Sequence, residues 1–202
     1  MVQLDNTVAV VLKDLATQGM AHVAKGLSGM LGQDIDIVTT NVGLVPVPKV
    51  VDRVGGPEEL VVGIYLIAQG DMPGHVMLIL PIADALLLVD MLLGEPEGTT
   101  TELGSLERSA LAELGNLTAS YFLNSVAAAT GFDTRPSPPA VMVDMLGAVL
   151  NIILIAAGGA EPDIMLLDTV FSCLDREVKA FFWVVPDLLP LQEQMRGSSQ
   201  HG

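Results

Sequence analysis

One stretch of the chain combines a broad apolar face with a narrow polar stripe: Ser105-Leu-Glu-Arg-Ser-Ala-Leu-Ala-Glu-Leu-Gly-Asn-Leu-Thr-Ala-Ser-Tyr-Phe-Leu-Asn124. An α-helix turns about 100° per residue, so residues three, four, seven and eleven apart share a face. The polar residues at that spacing are Ser105, Ser109, Glu113, Asn116, Ser120 and Asn124, and the apolar residues opposite them include Leu111, Leu114, Tyr121, Phe122, Val126 and Ala129. We therefore predict one long helix from Ser105 to Thr130, ended by Gly131.

The composition of the stripe makes it a candidate site. It holds one carboxylate and two carboxamides but no Lys or Arg, whereas a solvated face usually pairs Glu with Lys four residues apart. A carboxamide donates and accepts hydrogen bonds, so Asn116 could orient a water molecule while Glu113 pairs with a cation. Such a pair could direct that water at a phosphoryl group. From the spacing alone, a polar face that bonds to water or to a neighbouring helix is the simpler interpretation.

Length, composition and charge bound the class of protein. The chain has 202 residues, half of them apolar, which is enough for one domain or a fused pair of similar halves. Its formal net charge is −15, and that negative field would repel a phosphate backbone. We therefore expect a protein partner with a basic surface and no nucleic acid.

Membrane insertion is not expected, although the chain is apolar. The uncharged run that comes nearest to a membrane span, Met145 to Ala160, has sixteen residues and is bounded by Asp144 and Glu161, whereas a membrane-spanning helix needs about 20 apolar residues. The start of the chain lacks the basic and apolar regions of a signal peptide. A single cysteine, Cys173, cannot form an internal disulfide, which fits a reducing compartment. These features together predict a cytoplasmic protein.

The remaining patterns predict the other helices and strands. In the first half these are a helix at Thr7–Leu31, a strand at Ile35–Val38, an extended piece at Val45–Lys49, a hairpin of Leu60–Gln69 with His75–Leu80, and a helix at Ile82–Leu93. In the second half they are a proline-rich piece at Arg135–Ala140, an apolar helix at Val141–Ala157, strands at Ile164–Phe171 and Lys179–Val185, and a short helix ending at Met195. Residues 197–202 are predicted to be a disordered tail.

The two halves correspond. Gly32 and Gly131 each close a long helix and lie 99 positions apart, and Pro81 and Pro186 each end a hairpin. We predict a single domain at residues 1–196, made of two repeats at about 7–94 and 105–196. Its fold class would be α+β, a two-layer sandwich with pseudo-two-fold symmetry in which long helices pack on a shared, largely antiparallel sheet. Gly115 lies inside a helix, where close packing is the expected reason.

Other candidates for chemistry are weaker. His22, His75 and His201 are scattered and have no acidic or cysteine partner at metal-ligand spacing, so no zinc site is expected. The chain has no Gly-Lys-Ser or Gly-Lys-Thr phosphate loop, and we predict no cofactor of its own. Ser105 is interpreted as an N-cap.

The stripe resembles the signature of a known family. Ser109-x3-Glu113-x2-Asn116, followed by twenty-two residues and Pro139, is similar to the pattern of the CheC/CheX/FliY phosphatases of bacterial and archaeal chemotaxis, and is closest to CheC. Flanking blocks agree with that resemblance, among them Ala112–Leu117, Tyr121–Asn124, Gly70–Val76 and Leu87–Gly94. The resemblance extends over about residues 8 to 195.

The resemblance implies a function and assigns roles. CheC-type proteins dephosphorylate the aspartyl phosphate of the response regulator CheY. The family's asparagine is thought to orient the attacking water, a role that falls on Asn116, and its glutamate contacts a lysine of the regulator, a role that falls on Glu113. Ser109 and Pro139 match supporting positions. The Mg²⁺ ion belongs to the regulator, and CheC proteins also bind the receptor deamidase CheD.

The chain departs from the family pattern in its first half. Many CheC proteins carry the signature twice, but the equivalents 99 positions earlier are Val10, Asp14, Thr17 and Thr40. Thr17 lacks the paired donor and acceptor of an asparagine, so we predict that the first site is inactive or much weaker. One working site per chain is expected.

Two other functions remain open. The protein could be a non-catalytic adaptor that binds the regulator or CheD, or a flagellar-switch component related to FliM. The intact pair of Glu113 and Asn116 argues against the switch interpretation. A small-molecule binding protein is a weaker alternative, because no convergent set of polar groups supports it.

Overall fold

The computed structural model describes residues 6–32, 34–156, 163–173 and 175–186. The helices are α1 (Asn6–Leu31), α2 (Val47–Val54), α3 (Ile82–Leu93), α4 (Ser105–Thr130) and α5 (Leu146–Ala156). The strands are β1 (Ile35–Pro46), β2 (Leu60–Gly70), β3 (Gly74–Pro81), β4 (Thr134–Pro136), β5 (Ala140–Met145), β6 (Asp163–Cys173) and β7 (Arg176–Pro186). No described helix is both long and apolar enough to cross a membrane.

The seven described strands form one antiparallel sheet. Its order is β1-β6-β7-β3-β2-β4, and β5 pairs with the same edge of β2 as β4 does. The hairpin strands β3 and β7 lie side by side at the centre, with Gly74 opposite Pro186 and Ile79 opposite Phe181. Strand β1 of the first half pairs with β6, the first hairpin strand of the second half. Strands β4 and β5 of the second half pair with β2, the first hairpin strand of the first half. The two halves are therefore joined into one sheet, as the sequence predicted for an α+β fold.

Apolar side chains alternate between the two faces of the sheet, and each face carries a buried cluster. The larger cluster lies under α1, α3 and α4, and the Phe122 ring meets the Phe182 ring edge-on there at a centroid distance of 5.2 Å. The smaller cluster surrounds Trp183 and is covered by α2 and α5. The long helices pack on a shared sheet as predicted, and α2 and α5 add a layer on the other face that the sequence did not reveal.

The element bounds of the two halves repeat with an offset of 99 residues. Helices α1 and α4 each have 26 residues, and Asn6 and Ser105 begin them (105 − 6 = 99). Strand β1 begins 99 positions before the start of β4 and ends 99 positions before the end of β5. Helix α2 likewise begins 99 positions before α5. These bounds are the ones expected of a duplicated unit, while the duplication itself stays a prediction.

Two sequence predictions were wrong. The extended piece at Val45–Lys49 ends at Pro46, and helix α2 begins at Val47 with Pro48 in its first turn. Proline is tolerated there because first-turn N–H groups have no partner within the helix. The apolar helix predicted at Val141–Ala157 is a strand to Met145 followed by helix α5. Pairing with the edge of β2 decides that segment, because a short apolar run fits either structure.

The strand predicted at Ile35–Val38 is present but continues to Pro46, and the proline-rich piece at Arg135–Ala140 includes parts of β4 and β5. The other predicted elements in the described residues are confirmed with small changes at their ends. Helix α4 has the predicted bounds, and Gly131 follows it in the left-handed conformation at φ 79°. The second hairpin is longer than predicted, because its strands reach Cys173 and begin again at Arg176. The helix expected to end at Met195 and the tail at 197–202 lie outside the described residues.

Helix α4 is held close to the sheet and to α1 by glycines. A Cβ atom at Gly115 would overlap the Ile64 side chain of β2, so this turn of the helix rests directly on the strand. Where α1 crosses α4, Gly26 lies against the Tyr121 ring, and a Cβ atom at Gly19 would come within 2.8 Å of the Phe122 ring. These contacts fix both the height and the rotation of α4.

The segment that leads into α4 is tied down by a buried carboxylate. Asp90, which is 1% exposed, accepts hydrogen bonds of 2.8 Å from the N–H groups of Gly98 and Thr100. Burial alone would raise the pKa of this carboxyl, but hydrogen bonds from Thr100, Gly98 and Thr99 outweigh burial and hold the pKa below its ordinary value. Asp90 therefore fixes the connection between the halves.

The Gly115 contact predicts a coupled pair of substitutions. Gly115→Ala would ordinarily stabilise a helix by about 1 kcal/mol, but here the added methyl meets Ile64, so we expect a net loss of about 1–3 kcal/mol. In an Ile64→Ala background the same change should cost much less. Urea unfolding of the four proteins measures the coupling. Equal costs in both backgrounds would show that the contact does not position α4.

The Asp90 hydrogen bonds predict a pH-dependent stability. Asp90→Asn places an NH₂ group against one backbone N–H and should lower the free energy of unfolding by about 2 kcal/mol at pH 7. Because the folded pKa lies below the ordinary value of 3.8, the carboxylate stabilises the fold above that pH and loses this effect as pH falls through the folded pKa. The difference in the free energy of unfolding between the wild type and Asp90→Asn should therefore become smaller in acid. A gap that is constant or widens would contradict this account.

Candidate functional site

The start of α4 differs from the prediction. Gly104 occupies the N-cap position in an extended conformation without a side-chain cap, and Ser105 is the first residue of the helix. The predicted N-cap role of Ser105 is therefore wrong. Glu107 lies in the first turn, where a negative side chain complements the positive end of the helix dipole.

The predicted stripe faces away from the sheet. Residues Leu111, Leu114, Gly115, Thr118, Ala119, Phe122, Leu123 and Val126 are the buried side of α4. Ser109 and Glu113 are exposed, and Asn116 is half-buried beside Gly115. Residues three apart on a helix have Cβ atoms about 5–6 Å from one another, so Glu113 and Asn116 present their polar groups together. Glu113 forms no ion pair with any residue that the structure describes.

Pro139 lies at the sheet edge that α4 covers. It is half-buried in the break between β4 and β5, both of which contact α4. Ser137 closes this break, because its N–H donates to the Ile67 carbonyl at 2.8 Å and its hydroxyl accepts from the Ile67 N–H at 2.9 Å. The break therefore has a defined geometry next to the helix that carries the stripe. The supporting roles assigned to Pro139 and Ser109 stay predictions.

The first-half counterparts occupy matching places. Asp14 and Thr17 are exposed on α1, as Glu113 is on α4. Strand β1 shifts register between Thr39 and Asn41, at the position that corresponds to the break containing Pro139. The first half thus keeps the framework of the site while its side chains differ. Whether it has lost activity stays a prediction.

An open groove of about 600 Å³ separates α1 from α4 where they cross. Its lining consists of His22, Lys25, Gly26 and Gly29 from α1 and Tyr121, Asn124, Ser125 and Ala128 from α4, which are four pairs at an offset of 99. His22 Nδ1 lies 2.9 Å from the Ser125 hydroxyl, which itself donates to the Tyr121 carbonyl. Asn124, whose role the sequence left open, is exposed on this rim rather than packed between the helices.

A second histidine lies on the sheet. His75 of β3 stacks on Tyr65 of β2, and its Nδ1 atom is 2.8 Å from the Tyr65 hydroxyl. Partial burial lowers the pKa of His75 and raises the pKa of Tyr65. This pair lies on the face of the sheet opposite α4, so it does not join the stripe. His201 lies outside the described residues.

The stripe can position a reacting molecule rather than supply a nucleophile. A carboxylate and a carboxamide one turn apart, on a helix held by glycine contacts, offer one negative charge, one acceptor and one donor in fixed directions. These groups stand on the outer surface and not in a cleft. Their reaction partner must therefore bring the remaining groups to them, which indicates a macromolecular partner.

Comparison with known proteins agrees with a site that acts on a macromolecule. A family model described as the CheC-like family matches residues 106–143, which include Ser109, Glu113 and Asn116. Over 183 residues the chain is 31% identical to the CheY-P phosphatase CheC of Bacillus subtilis (strain 168), an alignment that spans 88% of this chain and 87% of that protein.

Solved structures show the same fold. FliY of Thermotoga maritima is 20% identical, with a TM-score of 0.78 and full coverage of both chains. The FliM middle domain of Vibrio alginolyticus is 12% identical, with a TM-score of 0.65 over 91% of this chain and 98% of that one. A CheX chain from the CheX-CheY-BeF3-Mg²⁺ complex of Borrelia burgdorferi is 19% identical, with a TM-score of 0.50 over 85% and 97%. The predicted resemblance is confirmed, and the chain belongs to the CheC-like family.

Proposed function

We propose that this protein dephosphorylates the phospho-aspartate of a CheY-type response regulator, using the exposed pair of Glu113 and Asn116 on α4. The observation that carries the proposal is this outward-facing carboxylate and carboxamide, in a chain 31% identical to a CheY-P phosphatase. Hydrolysis breaks the bond between phosphorus and the aspartate oxygen. The oxygen of a water molecule bonds to phosphorus, the aspartate leaves as a carboxylate, and the protons of the water pass to phosphate and solvent.

Asn116 would act on the water. Its side-chain carbonyl accepts a hydrogen bond from the water, and its NH₂ group donates to a phosphoryl oxygen, which together place the water in line with the breaking bond. Phosphoryl transfer depends mainly on such positioning and on stabilising charge. The backbone contact at Gly115 limits how far Asn116 can move relative to the sheet. A rigid support is what a positioning group needs.

Glu113 would hold the regulator. It is the single charge on an otherwise neutral stripe, so a lysine of the partner can pair with it without a competing cation from the stripe itself. The Mg²⁺ ion required for the chemistry would be bound by the regulator. A cytoplasmic location and contact with CheD also belong to this proposal, and CheD contact rests on the family resemblance alone.

One working site per chain is proposed. Thr17 of α1 has a single hydroxyl where Asn116 has a carboxamide, and Asp14 is one methylene shorter than Glu113. A side chain that is one methylene shorter reaches less far into a partner. The first half would then serve the fold rather than the reaction.

The alternative is a non-catalytic adaptor or a switch component. The FliY and FliM structures share this fold, so the fold itself does not separate the functions. Glu113 and Asn116 do separate them, because binding alone does not require an oriented carboxamide beside a carboxylate. A sequestering protein would saturate at one regulator per chain.

Substitutions at the pair test the proposal. Asn116→Ala should slow the decay of regulator phosphate roughly 100-fold at saturating protein, because the water loses its orientation. Glu113→Gln should raise KM roughly tenfold with a smaller effect on kcat, because it removes an ion pair to the partner. Decay of phosphorylated regulator is followed for a panel of purified regulators.

Matched controls come from the same chain. Asn151→Ala removes an exposed carboxamide from α5 on the opposite face of the sheet, and Thr17→Ala alters the first-half site. Regulator phosphate should decay at the wild-type rate with both variants, and Asn116→Ala, Glu113→Gln and Asn151→Ala should unfold at the wild-type temperature. Wild-type activity in Asn116→Ala would mean that the site is assigned wrongly.

A further inference from the structure

The outward face of α4 has two edges with different chemistry. Ser109, Asn116 and Ser120 line one edge, and Leu106, Ala110 and Leu117 line the other, with Glu113 between them. The apolar residues follow the spacing i, i+4 and i+11, which keeps them on one side of a helix. Leu106 is 60% exposed, whereas Ala110 and Leu117 are half-buried. We call these three residues the apolar edge.

Leu106 points in nearly the same direction as Glu113. The two residues are seven apart, which is 20° short of two full turns and about 10 Å along the helix axis. A typical interface covers roughly 800 Å² of each partner, so a partner centred on Glu113 would also cover Leu106. A lone exposed leucine needs no explanation, but this one lies within the footprint of the proposed substrate.

No charged side chain other than Glu113 lies on this face between Leu106 and Ser120. Arg108 is turned away, because its Nε atom donates to the Leu103 carbonyl at 3.1 Å. Glu107 is half-buried and its carboxylate folds back over Gly104. A partner could therefore cover the apolar edge without removing water from an unpaired charge, which is the usual cost of burying a polar surface.

The first half lacks both leucines of this edge. The residues 99 positions earlier are Thr7 for Leu106 and Gln18 for Leu117, while Val11 stands in place of Ala110 and keeps an apolar side chain. Both leucines are thus replaced by polar residues in the half that also lacks the carboxamide of Asn116. Loss of the two leucines together with the carboxamide is expected if both serve one partner.

We propose that the apolar edge is the affinity-determining part of the docking surface for the phosphorylated regulator, and that it takes an apolar patch of the regulator beside its phosphorylation site. This inference rests on the proposed function. Leu106 supplies the contact, Glu113 sets the register by pairing with a cation, and Asn116 performs the positioning. Burial of apolar surface gives affinity, while one ion pair gives orientation.

Leu106→Ser tests this assignment, with Ile155→Ser as the matched control. Ile155 is 77% exposed on α5, on the opposite face of the sheet. Leu106→Ser should raise both KM for phospho-regulator and Kd for regulator activated with beryllofluoride and Mg²⁺ roughly tenfold, with kcat within twofold of wild type. Ile155→Ser should change none of the three. An unchanged KM and Kd in Leu106→Ser would overturn the proposal.

Two further measurements separate the possible failures. Asn116→Ala keeps the apolar edge and loses one hydrogen bond to the phosphoryl group, so it should bind beryllofluoride-activated regulator within roughly tenfold of the wild type, and adding Leu106→Ser should weaken that binding further. If Asn116→Ala retains activity while Leu106→Ser still weakens binding, the proposed reaction fails but the docking surface stands. If sedimentation shows that Leu106→Ser only converts a dimer of this chain into monomers, a second copy occupies the edge and the proposal is wrong.

Discussion

The close approach of α4 to strand β2 is the constraint on which the rest of the site depends. Gly115 has no side chain, so the helix backbone rests on Ile64, and the next residue in the chain is Asn116. A helix lying on a sheet in this way has little freedom to rise or roll. The outward direction of Glu113 and Asn116 is thus a consequence of how the opposite face is packed. One turn of α4 therefore holds both the buried contact of Gly115 with Ile64 and the outward-facing Asn116.

The two halves share this framework but differ in what it carries. Both long helices have 26 residues, and the groove at their crossing is lined by residue pairs at an offset of 99. Helix α1 nevertheless presents Asp14 and Thr17 where α4 presents Glu113 and Asn116. Each half also needs the other, because β1 pairs with β6 and β5 pairs with β2. Neither half could therefore complete its part of the sheet without the other.

The sequence predicted the features that depend on local periodicity. The bounds of α4, the two hairpins, the outward stripe and the close packing at Gly115 all follow from spacing and from glycine and proline positions. The segment from Val141 to Met145 was missed because apolar runs carry no period, and only pairing with β2 makes it a strand. The corresponding segment of the first half, residues 42–46, is the end of β1, so the two halves have the same structure here. The groove beside Asn124 was beyond prediction, because it depends on the crossing of helices far apart in sequence.

Turnover with a large excess of phosphorylated regulator tests the central claim most directly. With one protein molecule per fifty regulators, the account predicts that wild type releases all the bound phosphate as inorganic phosphate through repeated cycles at one site. Asn116→Ala should release phosphate no faster than the regulator alone, while it still binds the regulator. Release that stops at one phosphate per chain, or that continues unchanged in Asn116→Ala, would contradict the account.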